Sequence, residues 1–178
     1  MSEKQVSVSP TGVKYTLPVE TEYKAEFDRI SRIVEEKRND GMEIVVVLGL
    51  GFVGAVMAAT IADSTDANGK PNKFVIGKQR PSVRSYWKIP LIIQGVCPIK
   101  SEDPEVETMI RRCVVDKKTF IAKYTDEVLS LADAVVIDIQ CDYLKESLGD
   151  VADGSVEMRA LEETLSKKGY RIRAAART

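Results

Sequence analysis

The apolar residues of this chain are concentrated in four short runs, at residues 44–48, 73–76, 118–122 and 134–139. The first and last runs are rich in β-branched residues and almost free of polar interruptions, which is typical of strands buried on both faces of a parallel sheet. Helical patterns separate the runs. This alternation predicts an α/β fold, a Rossmann-like doubly wound parallel sheet.

Helical periodicity is clearest on either side of the first strand. Residues 19–38 form an amphipathic pattern that ends at an Asn-Asp-Gly stop signal. This helix precedes the first strand, where a minimal dinucleotide-binding fold has no helix. We expect it to cover a face or an edge of the sheet, with a dimer contact as the alternative. After the first strand, small residues recur at helical spacing, at Ala55, Ala58, Ala59 and Ala62.

The second half of the chain contains weaker helical signals. Asp103 and Pro104 are an N-cap and a first-turn proline, and an apolar stripe follows them. Two further helices are predicted near residues 125–131 and 155–168. Residues 82–98 are interpreted as a packed connection rather than a regular element.

These patterns divide the chain into three regions. Residues 1–42 comprise a loose arm, over residues 1–15, and the amphipathic helix. Residues 43–169 form the Rossmann-type dinucleotide-binding domain. Residues 170–178 are a basic tail, which we expect to be solvated and mobile.

The sequence between the first strand and the alanine-rich helix is Gly-Leu-Gly-Phe-Val-Gly, which fits the G-x-G-x-x-G fingerprint of dinucleotide binding. Gly49 permits the tight turn, Gly51 lets a pyrophosphate approach the backbone, and Gly54 allows the helix to sit close to the sheet. Phe52 and Val53 begin the helix, whose N–H groups and partial positive charge favour phosphate. All five are candidate cofactor-binding residues. A tight turn without a ligand is the alternative.

The second strand ends where an acidic residue normally binds the ribose 2′-hydroxyl, and Gln79 and Arg80 follow there. A glutamine can bond ribose hydroxyls through its donor or its acceptor. It lacks the charge that repels a 2′-phosphate, and Arg80 can attract one. Both residues are candidates for cofactor binding, and NAD and NADP both stay open. The alternative for Arg80 is an ordinary solvated cation.

Cys141 follows the fourth apolar run at its carboxyl end, where open α/β sheets bind their ligands, and is a candidate for lining the cofactor cleft. Cys113 lies in the apolar stripe that follows Pro104, so we expect a core residue rather than a reactive thiol. With Cys97, these cysteines form no C-x-x-C pair, and the chain has no histidine. The sequence therefore predicts neither a zinc site nor a disulfide framework.

Composition and charge exclude several function classes. The chain has 178 residues and 44% apolar content, enough for one domain with a real core. A formal net charge of -1 gives no electrostatic reason to expect nucleic acid or an anionic membrane. No apolar run approaches transmembrane length, and the N-terminus lacks a secretory h-region. We expect a cytoplasmic protein.

Four segments carry a family resemblance. The glycine motif fits G-x-G-[YF]-V-G, and residues 75–77 match a second strand. Residues 94–99 (Gln-Gly-Val-Cys-Pro-Ile) are similar to N-G-x-x-P-I, and residues 132–137 (Ala-Asp-Ala-Val-Val-Ile) to A-D-V-V-I-I. In order and spacing these resemble the N-terminal NAD-binding domain of the nucleotide-sugar dehydrogenases, the UDP-glucose and GDP-mannose dehydrogenase family.

The resemblance implies an oxidoreductase that uses NAD to oxidise the C6 alcohol of a UDP- or GDP-sugar to a carboxylate. Family members continue into a half that binds the sugar nucleotide and carries the catalytic Cys, Lys and Asn. This sequence stops before that half. The resemblance therefore implies a sheet incomplete at its C-terminal side, no catalytic residue in this chain, and a nucleotide-sugar partner only when the missing half is supplied.

Two further expectations concern the isolated chain. We expect it to be inactive as a dehydrogenase. Because its last strand would present an open edge, we also expect homo-oligomers unless residues 170–174 cover that edge.

Two positions depart from the family pattern. Gln79 replaces the acidic residue after the second strand, and Cys141 stands at the threonine position that approaches the cofactor. Other classes therefore stay open: a stand-alone dinucleotide-binding or regulatory module without catalysis, a scaffold that has lost its ligand, or an S-adenosylmethionine-dependent methyltransferase, whose ligand has no pyrophosphate.

Overall fold

The structure is a computed structural model, and it describes residues 5–138. Its elements are, in chain order, β1 (Val6–Val8), β2 (Lys14–Thr16), α1 (Glu20–Asn39), β3 (Glu43–Leu48), α2 (Phe52–Asp63), β4 (Lys73–Lys78), α3 (Lys88–Ile93), α4 (Pro104–Arg111), β5 (Phe120–Lys123) and β6 (Ala134–Ile137). A π-helical turn, Arg112–Asp116, follows α4, and a 3₁₀ helix, Asp126–Leu131, follows β5.

Strands β3 to β6 form one parallel sheet in the order β5-β4-β3-β6. The first strand of the Rossmann unit, β3, is central, and Val47 lies opposite Gly77 on β4 and Val136 on β6. Successive strands are added first on one side of β3 and then on the other. The predicted α/β fold with a Rossmann-like parallel sheet is therefore confirmed.

Helices cover both faces of this sheet, as a doubly wound fold requires. On one face, Ile30 and Val34 of α1 pack with the 3₁₀ helix over residues of β3 and β4 that include Ile44 and Phe74. The interpretation of the N-terminal helix as a cover for a sheet face is thus confirmed. On the other face, α2 and α3 bury the opposite side chains of the same strands.

The alanine-rich helix α2 lies against the sheet because its inward side chains are small. Ala55, Ala58, Ala59 and Ala62 are all fully buried. The Cys113 thiol is also buried, and its Sγ lies 3.5 Å from the carbonyl oxygen of Ala59. Cys113 is therefore a core residue, as its place in the apolar stripe predicts.

The boundaries of the strands differ from those that the apolar runs predict. β3 begins one residue earlier, at Glu43, and β6 ends at Ile137. β4 extends two residues further, to Lys78. β5 begins at Phe120 rather than at Lys118, because Lys118 has a φ of 53°, in the left-handed region that a strand does not use. The last residue of the predicted fourth strand, Ile139, lies outside the described residues, as do the predicted helix at 155–168 and the tail.

The N-terminal arm is not loose where the structure describes it. β1 and β2 form an antiparallel hairpin whose turn is closed by Gly12, at a φ of 84°. The hydroxyl of Ser7 is buried; it donates to Val83 O and accepts from Trp87 N. The prediction of an irregular arm was wrong because strands of three residues are too short to show alternation, and a distant contact holds them.

The connection at 82–98 also contains a regular element that the sequence analysis did not predict. The helix α3 includes Pro90 in its first turn, where a backbone N–H has no intrahelical acceptor and its loss costs nothing. Ile89 and Ile92 of this helix are buried against the sheet. Pro90 is therefore compatible with the helix rather than a sign of irregular structure.

Candidate functional site

The glycine loop (residues 49–54) joins β3 to α2 at the carboxyl edge of the sheet, beside the ends of β4 and β6. Open α/β sheets bind their ligands at this edge. The N–H of Gly49 donates to Lys78 O at 2.9 Å, and the N–H of Asp138 donates to Leu48 O at 2.8 Å. The loop therefore starts from a fixed position between two neighbouring strands.

Two of the three loop glycines are required by the fold itself. Gly49 has a φ of 92°, and a Cβ there would lie 2.0 Å from the carbonyl oxygen of Asp138. A Cβ on Gly54 would lie 2.0 Å from the carbonyl oxygen of Gly49 and 2.7 Å from Asp138 Oδ2. These distances are well inside van der Waals contact, so no side chain fits at either position.

Gly51 differs from the other two. Its φ is −76°, which any residue adopts, and the nearest atom to a Cβ would be Asp138 Oδ2 at 3.6 Å, an ordinary contact. The packing therefore does not explain a glycine here. A glycine leaves the backbone here uncovered by a side chain, as the close approach of a ligand requires.

The amide end of α2 begins at this uncovered backbone. Gly51 is the N-cap and provides no side chain for capping. Within residues 5–138, the N–H groups of Phe52 and Val53 have no hydrogen-bond acceptor, whereas the N–H of Gly54 donates to Asp138 Oδ2 at 2.7 Å. The side chains of Phe52 and Val53 are 64% and 53% exposed. The helix thus presents two unpaired donors and its partial positive charge at an accessible surface.

Leu50 holds the loop in place through both its side chain and its backbone. Its side chain is fully buried and packs against Gly77 of β4. A Cβ added to Gly77 would lie only 2.7 Å from Leu50 Cδ2. Its N–H donates to Gln79 Oε1 at 2.8 Å, and its carbonyl accepts from Lys88 Nζ at 3.1 Å. Burial lowers the pKa of Lys88, and the nearby charge of Asp138 opposes that effect.

The structure brings most of the predicted site residues together. Five of them form the loop and the first turn of α2, at Gly49, Gly51, Phe52, Val53 and Gly54. Gln79 reaches the loop from the end of β4, where its Oε1 accepts from Leu50 N–H. Its NH₂ group and the second lone pair of the oxygen are what it can offer a ligand. Arg80 follows and is exposed. Cys141 lies outside the described residues.

Lys88 and Asp138 also contact the loop, and the sequence analysis did not single them out. Asp138 had a visible signal, because it is the one charged residue in the apolar run at 134–139. Lys88 had none: its contact with Leu50 depends on the path of the connection after β4.

A separate cavity of about 600 Å³ lies at the carboxyl end of β5 and contains no residue of the glycine loop in its lining. Tyr86 and Tyr124 form one wall, with ring centroids 6.0 Å apart, and burial raises the pKa of Tyr124 to about 12. Glu26 on the facing helix is paired with both Arg29 and Lys123, at 2.9 Å each. The carboxylate of Glu26 is therefore paired with two cations.

Residues 5–138 contain no cluster of three or more His, Cys, Asp or Glu side chains arranged to hold a metal ion. Among the helices of this part of the chain, none combines the length and apolar character that crossing a bilayer requires.

The parallel strand order, the glycine loop and the helix that follows define a Rossmann-like fold, and solved structures of similar fold are nucleotide-sugar dehydrogenases. The chain is 27% identical to the NDP-N-acetyl-D-galactosaminuronic acid dehydrogenase of Methanosarcina mazei Go1, with a TM-score of 0.56, covering 74% of this chain and 26% of that one. For the GDP-mannose dehydrogenase of Pseudomonas aeruginosa the identity is 24%, the TM-score 0.51 and the coverage 75% and 26%.

The resemblance to nucleotide-sugar dehydrogenases that the sequence motifs predict is therefore confirmed. The chain spans about a quarter of the length of these two proteins. Neither protein-family models nor curated protein sequences give a match to it.

Proposed function

We propose that this chain binds NAD at its glycine loop and provides the dinucleotide-binding part of a nucleotide-sugar 6-dehydrogenase. The observation that carries the proposal is the amide end of α2, where no side chain covers the backbone of Gly51 and where, within residues 5–138, the N–H groups of Phe52 and Val53 have no hydrogen-bond acceptor. A diphosphate fits such a site because its oxygens accept hydrogen bonds and its charge favours the positive end of the helix.

The residues around the loop divide the work of holding NAD. The N–H groups of Phe52 and Val53 would bind the diphosphate, which the absence of a Cβ on Gly51 admits. The NH₂ group of Gln79 would donate to a ribose hydroxyl. The guanidinium of Arg80 would pair with the 2′-phosphate if NADP were bound. When bound, the nicotinamide supplies a hydride acceptor, and the protein supplies its position.

The whole reaction we propose is oxidation of the C6 alcohol of a UDP- or GDP-sugar to the carboxylate. The similarity to the Methanosarcina mazei enzyme, at 27% identity, supports this assignment. We assign no catalytic residue within residues 5–138, and we expect no turnover from this chain alone. Steady NADH formation by the purified chain with NAD and a UDP- or GDP-sugar would contradict that expectation.

Calorimetric titration with NAD, NADP and S-adenosylmethionine tests the proposed ligand. We expect heat from NAD, with NADP as a weaker or comparable ligand, because both present a diphosphate to the loop. S-adenosylmethionine carries no phosphate and is expected not to bind. Binding of S-adenosylmethionine without either dinucleotide would refute the proposal and favour a methyltransferase.

A further inference from the structure

The carboxylate of Asp138 occupies part of the amide end of α2. The backbone of Asp138 extends the pairing of β6 with β3, since its N–H donates to Leu48 O at 2.8 Å. From this fixed position its Oδ2 accepts from the N–H of Gly54 at 2.7 Å. Gly54 is the third residue of α2, so Asp138 caps the helix from another strand, in place of a capping side chain on Gly51.

This cap places a negative charge beside the proposed diphosphate site. Phe52 N–H and Val53 N–H, which have no acceptor among the described residues 5–138, immediately precede the N–H that Asp138 binds. Asp138 Oδ2 would also lie 3.6 Å from a Cβ on Gly51, so the carboxylate lies beside the backbone that a ligand would approach. A diphosphate bound there would share the positive end of the helix with a second anion, and the two would repel each other.

Lys88 compensates this charge only in part. Its Nζ is held on the carbonyl of Leu50 at 3.1 Å, beneath the loop. Burial lowers the pKa of Lys88, and the charge of Asp138 acts against that shift. The two side chains bond to different atoms, because Lys88 Nζ donates to Leu50 O whereas Asp138 Oδ2 accepts from Gly54 N–H.

On the basis of the proposed function, we infer that Asp138 is a specificity-determining residue that weakens the binding of diphosphates at the glycine loop. Its effect increases with the negative charge of the ligand. ADP, which ends in a more highly charged phosphate, is disfavoured more strongly than NAD, and adenosine, which has no phosphate, is unaffected. The cofactor is thereby held loosely and exchanges readily.

The substitution Asp138→Asn tests this inference because the amide oxygen can still accept from Gly54 N–H while the charge is removed. Binding of NAD, ADP and adenosine to the whole chain is measured by calorimetry. We expect NAD to bind about tenfold more tightly to the variant, which matches the removal of one like charge at close range near a protein surface. ADP should gain more than NAD, and adenosine should gain nothing.

Asp133→Asn is the matched control. Asp133 lies at the opposite end of β6, and its Oδ2 also accepts a backbone hydrogen bond, from Ile44 N–H at 2.8 Å. The variant changes the net charge by the same amount, so its affinity for NAD should stay within about twofold of the original chain if the effect is local. If Asp138→Asn does not fold, Asp138→Ser removes the charge and keeps a hydroxyl acceptor.

The outcomes separate the inference from the function on which it rests. Unchanged or weaker NAD binding by Asp138→Asn, with clear binding by the original chain, would overturn the inference and leave the proposed function intact. An equal gain in Asp133→Asn would also overturn it, since the effect would then be one of net charge. If neither the original chain nor the variant binds NAD or ADP, the proposed function fails and the inference with it.

Discussion

Gln79 Oε1 accepts a hydrogen bond of 2.8 Å from the backbone N–H of Leu50, which ties the end of β4 to the glycine loop. The oxygen faces Leu50 because a backbone N–H requires an acceptor, and the NH₂ group then points elsewhere. A carboxylate in this position would make the same bond and add a negative charge near the ribose. Gln79 therefore supports the loop without adding a negative charge at the end of β4.

Replacing Gln79 with glutamate should shift the cofactor preference towards NAD. Gln79→Glu keeps the acceptor for Leu50 N–H, but its charge repels a 2′-phosphate. We expect the ratio of NADP to NAD affinity to fall about tenfold, measured by calorimetric titration of both dinucleotides. Arg80→Ala, which removes a cation from the same region, should lower NADP affinity alone. An unchanged ratio in both variants would place the 2′-hydroxyl away from the end of β4.

The loop glycines should differ sharply in their effects on stability. Gly54→Ala brings a Cβ to 2.0 Å from Gly49 O, and we expect a loss of about 2–4 kcal/mol in the free energy of unfolding. Gly51→Ala meets only an ordinary contact at 3.6 Å, and we expect a change of less than about 1 kcal/mol. Urea unfolding followed by circular dichroism measures both. Equal losses in the two variants would show that the loop geometry differs from the one described.

Acid should destabilise the fold through Asp63, at the end of α2. The guanidinium of Arg112 holds the pKa of Asp63 well below its usual range, and Lys117 adds to the effect. A carboxylate with a lowered pKa contributes stability above its unfolded pKa of about 4, and that stability is lost as the pH falls through the folded pKa. We therefore expect the free energy of unfolding to decrease from about pH 5 towards pH 3.

Asp63→Asn shows how much of the loss of unfolding free energy at low pH comes from Asp63. The variant cannot ionise, so its unfolding free energy should fall less steeply over the same range, while at neutral pH it should be about 1–2 kcal/mol less stable. Asp116→Asn, at an exposed position on the π-helical turn, is the control and should preserve most of the slope. Parallel pH profiles for Asp63→Asn and the original chain would assign the acid sensitivity to other carboxylates.

The Cys113 thiol should be unreactive in the folded protein. Burial raises the pKa of Cys113 to about 11, with the charge of Asp63 acting in the same direction. In a chain carrying Cys97→Ser and Cys141→Ser, we expect Ellman's reagent at pH 8 to react with Cys113 only when the protein unfolds. Rapid reaction before unfolding would mean that the packing of α2 on the π-helical turn is open, and it would revive Cys113 as a candidate nucleophile.

The parts of the fold that the sequence predicted are those fixed by local patterns. The apolar run at 44–48 forms the predicted central strand, because only a strand covered on both faces buries all of its side chains. The alanines of α2 lie on the helix face that packs on the sheet, because their helical spacing places them on one side. The hairpin of β1 and β2 escaped prediction, since it depends on the contact of Ser7 with Val83 and Trp87.

The candidate site was predictable in its backbone but not in its side-chain contacts. The spacing of the glycines identifies the loop. The turn requires a positive φ at Gly49, and the close approach of helix and strand leaves no room for a Cβ on Gly54. Asp138 is separated from Gly54 by 84 residues. The order of strands must be known before those two residues can be placed together, and a sequence pattern does not give that order.

Binding of NAD by the original chain and by Gly51→Ala, measured by calorimetry together with the melting temperature, tests the central claim most directly. We predict that the original chain binds NAD and that Gly51→Ala loses at least about tenfold in affinity while its melting temperature stays within a few degrees. The new methyl group would then have closed the space that the ligand needs. If Gly51→Ala binds NAD as well as the original chain does, the glycine loop is not the binding site.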